Sequence, residues 1–194
     1  MQHTKITGII VRTRPHSEFD RILTVFSAEL GMVRIIAKGI RRARSHRSFH
    51  VDLLNLVIME VEENEIRRGM RYLREISILE SFASMKSQPE HFAGACTIAA
   101  FLLRILPDEA PTEALFDLTL ETFRALNTSD QLKQHLLSYF LASMRLLGHM
   151  PNSLPQEDVR SLLAKTLQDI DPQFVLHARR TLGIFSSLES IRSS

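Results

Sequence analysis

Residues 4–38 read TKITGIIVRTRPHSEFDRILTVFSAELGMVRIIAK, which places three stretches rich in β-branched residues around two turn signals. This pattern predicts a first strand over residues 4–13, ended at Pro15, and a second strand over residues 20–27. The segment AELG supplies a turn in which Gly31 is the conformationally permissive residue. The second strand and a third, over residues 32–38, are therefore predicted to form a hairpin.

Two further strands are expected before the pattern changes. Residues 51–62 (VDLLNLVIMEVE) are apolar on both faces near their middle, which is typical of a central or coiled strand. Residues 66–75 (IRRGMRYLRE) form a fifth strand in which Gly69 would suit a bulge. Five short, mostly sequential strands suffice to close a small barrel of the OB type. A single twisted sheet packed on helices is the structural alternative that periodicity leaves open.

From residue 81 onward the apolar residues follow helical spacing. Helices are predicted over residues 92–106, 112–126 and 132–147, with two shorter ones over residues 159–167 and 174–182. The predicted fold class is α+β, with an N-terminal five-stranded OB-fold β-barrel over residues 1–80 and an all-α C-terminal domain over residues 81–194.

A cationic stretch follows the third strand. Residues 37–49 read AKGIRRARSHRSF and contain five cations and no carboxylate, namely Lys38, Arg41, Arg42, Arg44 and Arg47. Each cation brought to a phosphate releases condensed counterions, so such a segment can follow a polyanion backbone without reading bases. The alternative is a charged loop that is merely solvated.

The net charge of +2 conceals a strong asymmetry along the chain. Residues 1–50 hold ten Lys and Arg against three Asp and Glu, or +7, whereas residues 51–80 carry −3 and residues 81–194 carry −2. The positive field therefore lies in the first fifty residues, which favours a nucleic-acid partner for the predicted barrel.

Bulk composition narrows the class of protein. With 44% hydrophobic and 24% charged residues, the 194-residue chain is typical of a globular protein. No apolar run is long enough for a membrane span, and the first twenty residues lack the features of a signal peptide, so a cytoplasmic protein without a membrane partner is expected. The single Cys96 allows no intrachain disulfide and no thiolate cluster for zinc.

Catalytic signatures are absent from the sequence, and we expect the protein not to be an enzyme. A metal-dependent nuclease is the enzymatic alternative, and it would need carboxylates near the cationic stretch, such as Glu18 with Asp20. These residues are more typical of a solvated turn. Among the aromatic residues, Phe49 at the end of the cationic stretch is the candidate for stacking on a base.

With these residues in view, the chain resembles the bacterial RecO family of recombination mediator and DNA repair proteins over about residues 6–151. The first carrying stretch is GIIVRTRPHSEFDRILTVFSAELGMVRIIAKGIRRARS, with its order of acidic-x-Asp-Arg, strand, Gly, strand, Ala-Lys-Gly and Arg-Arg. Two others agree, LPDEAPTEALFDLTLETFRAL and FLASMRLLGHMP. Their order and spacing together carry the resemblance.

The resemblance implies an N-terminal OB-fold, a helical C-terminal domain, binding of single- and double-stranded DNA, and strand annealing. It also implies partnership with RecR and contact with the C-terminal tail of single-strand DNA-binding protein, so that RecA is loaded, in a cytoplasmic, nucleoid-associated setting. The positions that match the family's DNA-facing surface are Arg12, Arg14, Arg21, Arg34, Lys38, Arg41 and Arg42, with Arg44 and Arg47 as local additions.

Many members of the family carry a four-cysteine zinc module after the Leu-Leu-Gly turn. This chain has none of those cysteines, so no zinc and no other cofactor is expected. Two other functions remain as alternatives to DNA binding, namely a protein-interaction adapter and an RNA-binding OB-fold protein.

Overall fold

A computed structural model describes residues 3–40, 49–63, 71–151 and 165–169, together with residues 171, 173, 174, 176 and 178. The chain forms two compact units. The first comprises Met1–Phe82 with Leu106–Phe116, and the second comprises Ala83–Ile105 with Asp117–Ser194. Residues 106–116, which lie within the predicted helical domain, belong to the first unit because their backbone bonds to the sheet, with the Glu109 N–H donating to the Met32 carbonyl at 3.0 Å.

The first unit is a closed five-stranded barrel, as predicted. Its strands are β1 (His3–Pro15), β2 (Arg21–Ser27), β3 (Gly31–Ala37), β4 (Leu56–Glu63) and β5 (Arg71–Glu80). They pair in the order β1-β2-β3-β5-β4, with β4 returning to β1. All pairs are antiparallel except β3 with β5, which is parallel and, among the described residues, joins Ile35 to Arg71 and Ile36 to Tyr72. This pairing closes the barrel.

Alternating residues of the strands fill the barrel. On β2 and β3 the inward residues include Leu23, Val25, Val33 and Ile35, each at most 1% exposed. Burying one such side chain contributes about 1.5–3 kcal/mol, so this alternation fixes which face of each strand is turned outward.

The predicted fourth strand begins too early. Residues 51–55 form turns, and Leu54 has a φ of 66°. Val51 is nevertheless fully buried within the barrel core, and the Leu54 N–H donates to the Ile10 carbonyl at 2.7 Å. Their apolar character therefore reflects burial against the barrel and not an extended conformation.

The fifth strand was predicted about five residues too early in the chain. It was expected over residues 66–75, whereas β5 runs over Arg71–Glu80 and pairs with β4 along its length. The inward residues Leu73 and Ile76 both belong to the barrel core, and a register shift between Leu73 and Glu75 places the second of them inward, so the strand continues past Glu75. The bulge predicted at Gly69 lies outside the described residues.

The second unit is helical. The chain's described helices are α1 (Ala83–Ser87), α2 (Pro89–Ile105), α3 (Glu113–Thr128), which begins in the first unit, and α4 (Leu132–Leu146). Residues 165–169 are also helical, and the rest of the helix predicted from residue 159 lies outside the described residues. None of the described helices has the length and apolar character needed to cross a membrane.

Aromatic side chains form the centre of the helical unit. Phe101 of α2 meets Phe140 of α4 edge to face with ring centroids 5.4 Å apart, and Phe174 lies 5.7 Å from Phe140. The fully buried Tyr139 places its hydroxyl 3.1 Å from that of Thr119. Such pairs stabilise the packing beyond the area they bury.

Candidate nucleic-acid interface

Two of the predicted DNA-facing arginines lie in one row across the barrel. Arg12 on β1 is the register partner of Thr24 on β2, and Thr24 is the partner of Arg34 on β3. Direct cross-strand partners project from the same face, and the neighbours Leu23 and Val25 point into the core. The two arginines therefore project outward from strands about 10 Å apart.

A β-bulge is what turns Arg12 outward. Ile10 pairs with Val25 and Arg12 pairs with Thr24, so Val11 is an additional residue on β1. Without it, strict alternation from the inward Ile10 would direct Arg12 and Arg14 into the barrel. The bulge thus places both cations on the outer surface.

A second row lies beside the first. Arg14 pairs with Ile22, Ile22 with Ile36, and Ile36 with Tyr72. The ammonium group of Lys38 lies 4.3 Å from the centroid of the Tyr72 ring, in cation–π geometry. We define the basic face as the four outward cations of these two rows and their border, Arg12, Arg14, Arg34 and Lys38.

The opposite end of the same outer surface is closed. Phe26 on β2 projects outward yet is fully buried, because its ring meets that of Phe116 edge to face at 5.5 Å. The open part of the surface is consequently the end that carries the basic face.

Arg21 does not lie on the basic face. Its register partner on β3 is Ala37, which belongs to the barrel core, and it shares its side of β2 with Leu23 and Val25. The half-buried Arg21 therefore lies at the end of the barrel interior.

The rest of the predicted cationic cluster lies outside the described residues. This applies to Arg41, Arg42, Arg44 and Arg47. Phe49, which follows them, is described and is 75% exposed, while its carbonyl accepts a hydrogen bond from Asn55 Nδ2 at 3.1 Å. Its backbone is thus anchored and its ring is available for contact.

Asp20 links the β1–β2 turn to the residue after Lys38. Its Oδ1 accepts a hydrogen bond from the Gly39 N–H at 2.8 Å, and its own N–H donates to Ser17 Oγ at 3.2 Å. The hydrogen bond from the Gly39 N–H, followed by one from the Ser17 hydroxyl to the carboxylate, lowers the pKa of the Asp20 carboxyl from its ordinary value. Sequence reasoning considered Asp20 as a metal ligand or, more typically, as part of a solvated turn, and missed this positioning role.

Two carboxylates that sequence reasoning did not connect to the site contact the barrel's arginines. Asp108 Oδ2 lies 2.8 Å from Arg34 Nη2, and Glu109 Oε1 lies 2.6 Å from Arg71 Nη1. The first pair joins residues 74 positions apart, so no local pattern could have indicated it. The guanidinium of Arg34, on the basic face, is therefore paired with a carboxylate of the chain itself.

A metal site would need several His, Cys, Asp or Glu side chains close together. Among the residues that the structure describes, no group of three or more such side chains could hold a metal ion. The expected absence of zinc and other cofactors stays a prediction.

Comparison with known proteins identifies the family. Residues 1–82 match the model described as "Recombination protein O N terminal", and residues 86–153 match "Recombination protein O C terminal". The protein named DNA repair protein RecO of Syntrophobacter fumaroxidans is 29% identical over 152 residues, covering 78% of this chain and 59% of that relative. The one of Anaeromyxobacter dehalogenans is 27% identical over 151 residues, with coverages of 78% and 59%.

A third relative agrees with these two. DNA repair protein RecO of Caldanaerobacter subterraneus is 29% identical over 159 residues, covering 78% of this chain and 60% of the relative. The chain thus spans less than two thirds of the length of these relatives. Because the two models match consecutive parts of the chain in order, the chain belongs to the RecO family of DNA repair and recombination proteins.

Proposed function

We propose that this protein is a non-enzymatic DNA-binding recombination mediator whose basic face holds phosphate backbones. The observation that carries the proposal is the outward row of Arg12 and Arg34, flanked by Arg14 and Lys38, on one open surface of the barrel. OB-folds bind oligonucleotides on the face formed by strands 2 and 3, which is the surface these cations border. Guanidinium and ammonium groups on that surface suit phosphates and give little base selectivity.

The proposal extends to both DNA forms and to partners. Single- and double-stranded DNA would both be bound and complementary strands annealed, since backbone contacts do not require unpaired bases. The proposal also includes partnership with RecR, contact with the C-terminal tail of single-strand DNA-binding protein, and loading of RecA. Membership of the family supports this part of the proposal. With chromosomal DNA as the target, the activity would take place in the cytoplasm at the nucleoid.

Salt titration of DNA binding tests the central claim. Replacing Arg14 and Lys38 together by Gln should weaken binding to an oligothymidylate and reduce the slope of log affinity against log salt by about 1.4, since each lost phosphate contact accounts for about 0.7. The matched control replaces the exposed Lys133 and Lys165 of the helical unit by Gln, which changes the net charge equally. Equal effects of the two double substitutions would contradict a localised phosphate site.

The non-enzymatic part of the proposal has its own test. Incubation of single- and double-stranded DNA with the protein and Mg²⁺ should leave both intact. Cleavage that disappears when Glu18 and Asp20 are replaced by Gln and Asn would instead establish the nuclease alternative.

A further inference from the structure

Residues 106–112 (LPDEAPT), which we define as the acidic linker, pair with β3 at Met32. The N–H of Glu109 donates to the Met32 carbonyl at 3.0 Å, and Asp108 forms a parallel bridge with Met32. One edge of β3 is paired with β2 from Gly31 to Ala37, and among the described residues of β5 the partners of β3 are Arg71 and Tyr72, opposite Ile35 and Ile36. The acidic linker thus meets β3 on the N-terminal side of the residues that pair with β5.

The approach of the acidic linker to β3 is close. Gly31 has a φ of +71°, and a Cβ at this position would collide with the backbone carbonyl of Ala110. Glu109 itself has a φ of 56°, a conformation that L side chains rarely adopt. A segment held in this way has a defined position against the strand.

Two ion pairs of the acidic linker differ in burial. Arg71, whose side chain is 9% exposed, contacts Glu109 at 2.6 Å and Glu63 at 3.7 Å. The pair of Arg34 with Asp108 is open to solvent, with side chains 64% and 58% exposed. Glu109 itself is 48% exposed, so the buried member of the first pair is Arg71. Removing a partner of a buried cation leaves its charge less compensated, whereas an exposed pair exchanges its partner at little cost. The first pair therefore holds the linker in place, and the second is exchangeable.

The exchangeable pair involves a residue of the basic face. Asp108 Oδ2 lies 2.8 Å from Arg34 Nη2, the distance at which a phosphate oxygen would accept the same hydrogen bond. We propose that Asp108 is a built-in competitor for the phosphate site at Arg34, which DNA must displace in order to use this guanidinium. This inference rests on the proposed function and specifies its regulation.

Competition of this kind selects for polyanions. A single phosphate gains only the contact with Arg34 and must first remove Asp108, whereas a nucleic-acid strand also meets Arg12 and Arg14, which lie on the same surface. Contacts made by linked phosphates raise the effective concentration of the next phosphate at Arg34. The carboxylate therefore suppresses binding of small anions more strongly than binding of DNA.

The test compares an isosteric substitution in two backgrounds. Asp108→Asn should tighten binding of a fluorescein-labelled oligothymidylate about two- to fivefold at moderate salt, the range that corresponds to one exposed ion pair. In an Arg34→Ala background the same substitution should have no more effect than Asp117→Asn, an exposed carboxylate of α3 that changes the net charge equally. Equal affinities of the wild-type protein and Asp108→Asn would overturn the inference while leaving the proposed function intact.

A second test uses the wild-type protein, so its result does not depend on whether the variants fold. The side-chain carboxyl ¹³C resonance of Asp108 should shift when the oligothymidylate is added, because the carboxylate loses its guanidinium partner. Saturated binding with an unchanged Asp108 resonance would also overturn the inference. If the wild-type protein bound neither single- nor double-stranded DNA, the proposed function would fail, and the inference with it.

Discussion

The carboxylate of Asp20 accepts a hydrogen bond from the backbone N–H of Gly39 at 2.8 Å. Asp20 lies in the β1–β2 turn, and Gly39, with a φ of 65°, directly follows Lys38. A single side chain therefore fixes the backbone next to one cation of the basic face.

Stability should depend on pH through this hydrogen bond. The Gly39 N–H, followed by the Ser17 hydroxyl, lowers the pKa of Asp20 from its ordinary value of 3.8. Because the folded pKa is the lower one, the ionised carboxylate contributes its stability fully above pH 3.8, and this contribution is lost as the pH falls through the folded pKa.

We therefore expect the amide proton resonance of Gly39 to titrate with a midpoint below 3.8. The difference in unfolding free energy between the wild-type protein and Asp20→Asn should shrink as the pH is lowered past that midpoint. A midpoint at or above 3.8, or a difference that grows toward acid, would contradict the assignment.

Gly31 should tolerate replacement less well than Gly148, which also has a positive φ. Gly31→Ala places an L side chain at φ +71° and directs its Cβ into the backbone of Ala110. Strain and overlap together should lower the free energy of unfolding by about 2–5 kcal/mol. Gly148→Ala is the matched control, since its φ is +74° and no atom lies within 4 Å of the new Cβ, so only about 1–2 kcal/mol should be lost. Urea denaturation of both variants measures the difference, and equal losses would argue against the close approach of the acidic linker.

The two ion pairs of the acidic linker should differ in their effect on stability. Glu109→Gln removes the carboxylate closest to the buried Arg71, and we expect a loss of about 1–3 kcal/mol in unfolding free energy. Asp108→Asn breaks a solvent-exposed pair and should cost at most about 1 kcal/mol. The measurement is chemical denaturation at fixed pH. A larger loss for Asp108→Asn than for Glu109→Gln would reverse the assigned roles of the anchoring and the exchangeable pair.

The barrel was predictable because its signals are local. The hairpin of β2 and β3 follows from two alternating stretches around a turn with Gly31, and the structure confirms it. The start of β4 was wrong because Val51 is as deeply buried as a strand residue, and a single sequence does not distinguish the two kinds of burial. The end of β5 was missed because a bulge between Leu73 and Glu75 interrupts the alternation, so that the inward Leu73 and Ile76 are three residues apart.

The sequence predicted which residues could contact phosphate, but not which of them share one face of the barrel. The sequence identified Arg12, Arg14 and Arg34 as cations, yet their common face depends on a bulge at Val11 that alternation alone does not reveal. The sequence grouped Arg21 with them, whereas its register places it on the other side of β2. Long-range pairing sets both outcomes, as it does the contact of Arg34 with Asp108.

Phe49 provides a test of whether base stacking accompanies the phosphate contacts. Its ring is 75% exposed, so Phe49→Ala should leave the unfolding free energy within about 0.5 kcal/mol of the wild-type value. If the ring stacks on a base, the substitution should weaken binding of an oligothymidylate by about 1–3 kcal/mol, and binding of an abasic oligonucleotide should be unaffected. The salt slope should not change, because no cation is removed. Leu146→Ala, which truncates a 52% exposed apolar side chain of α4, is the control. Equal weakening for both oligonucleotides would show that Phe49 acts on the backbone contacts and not on a base.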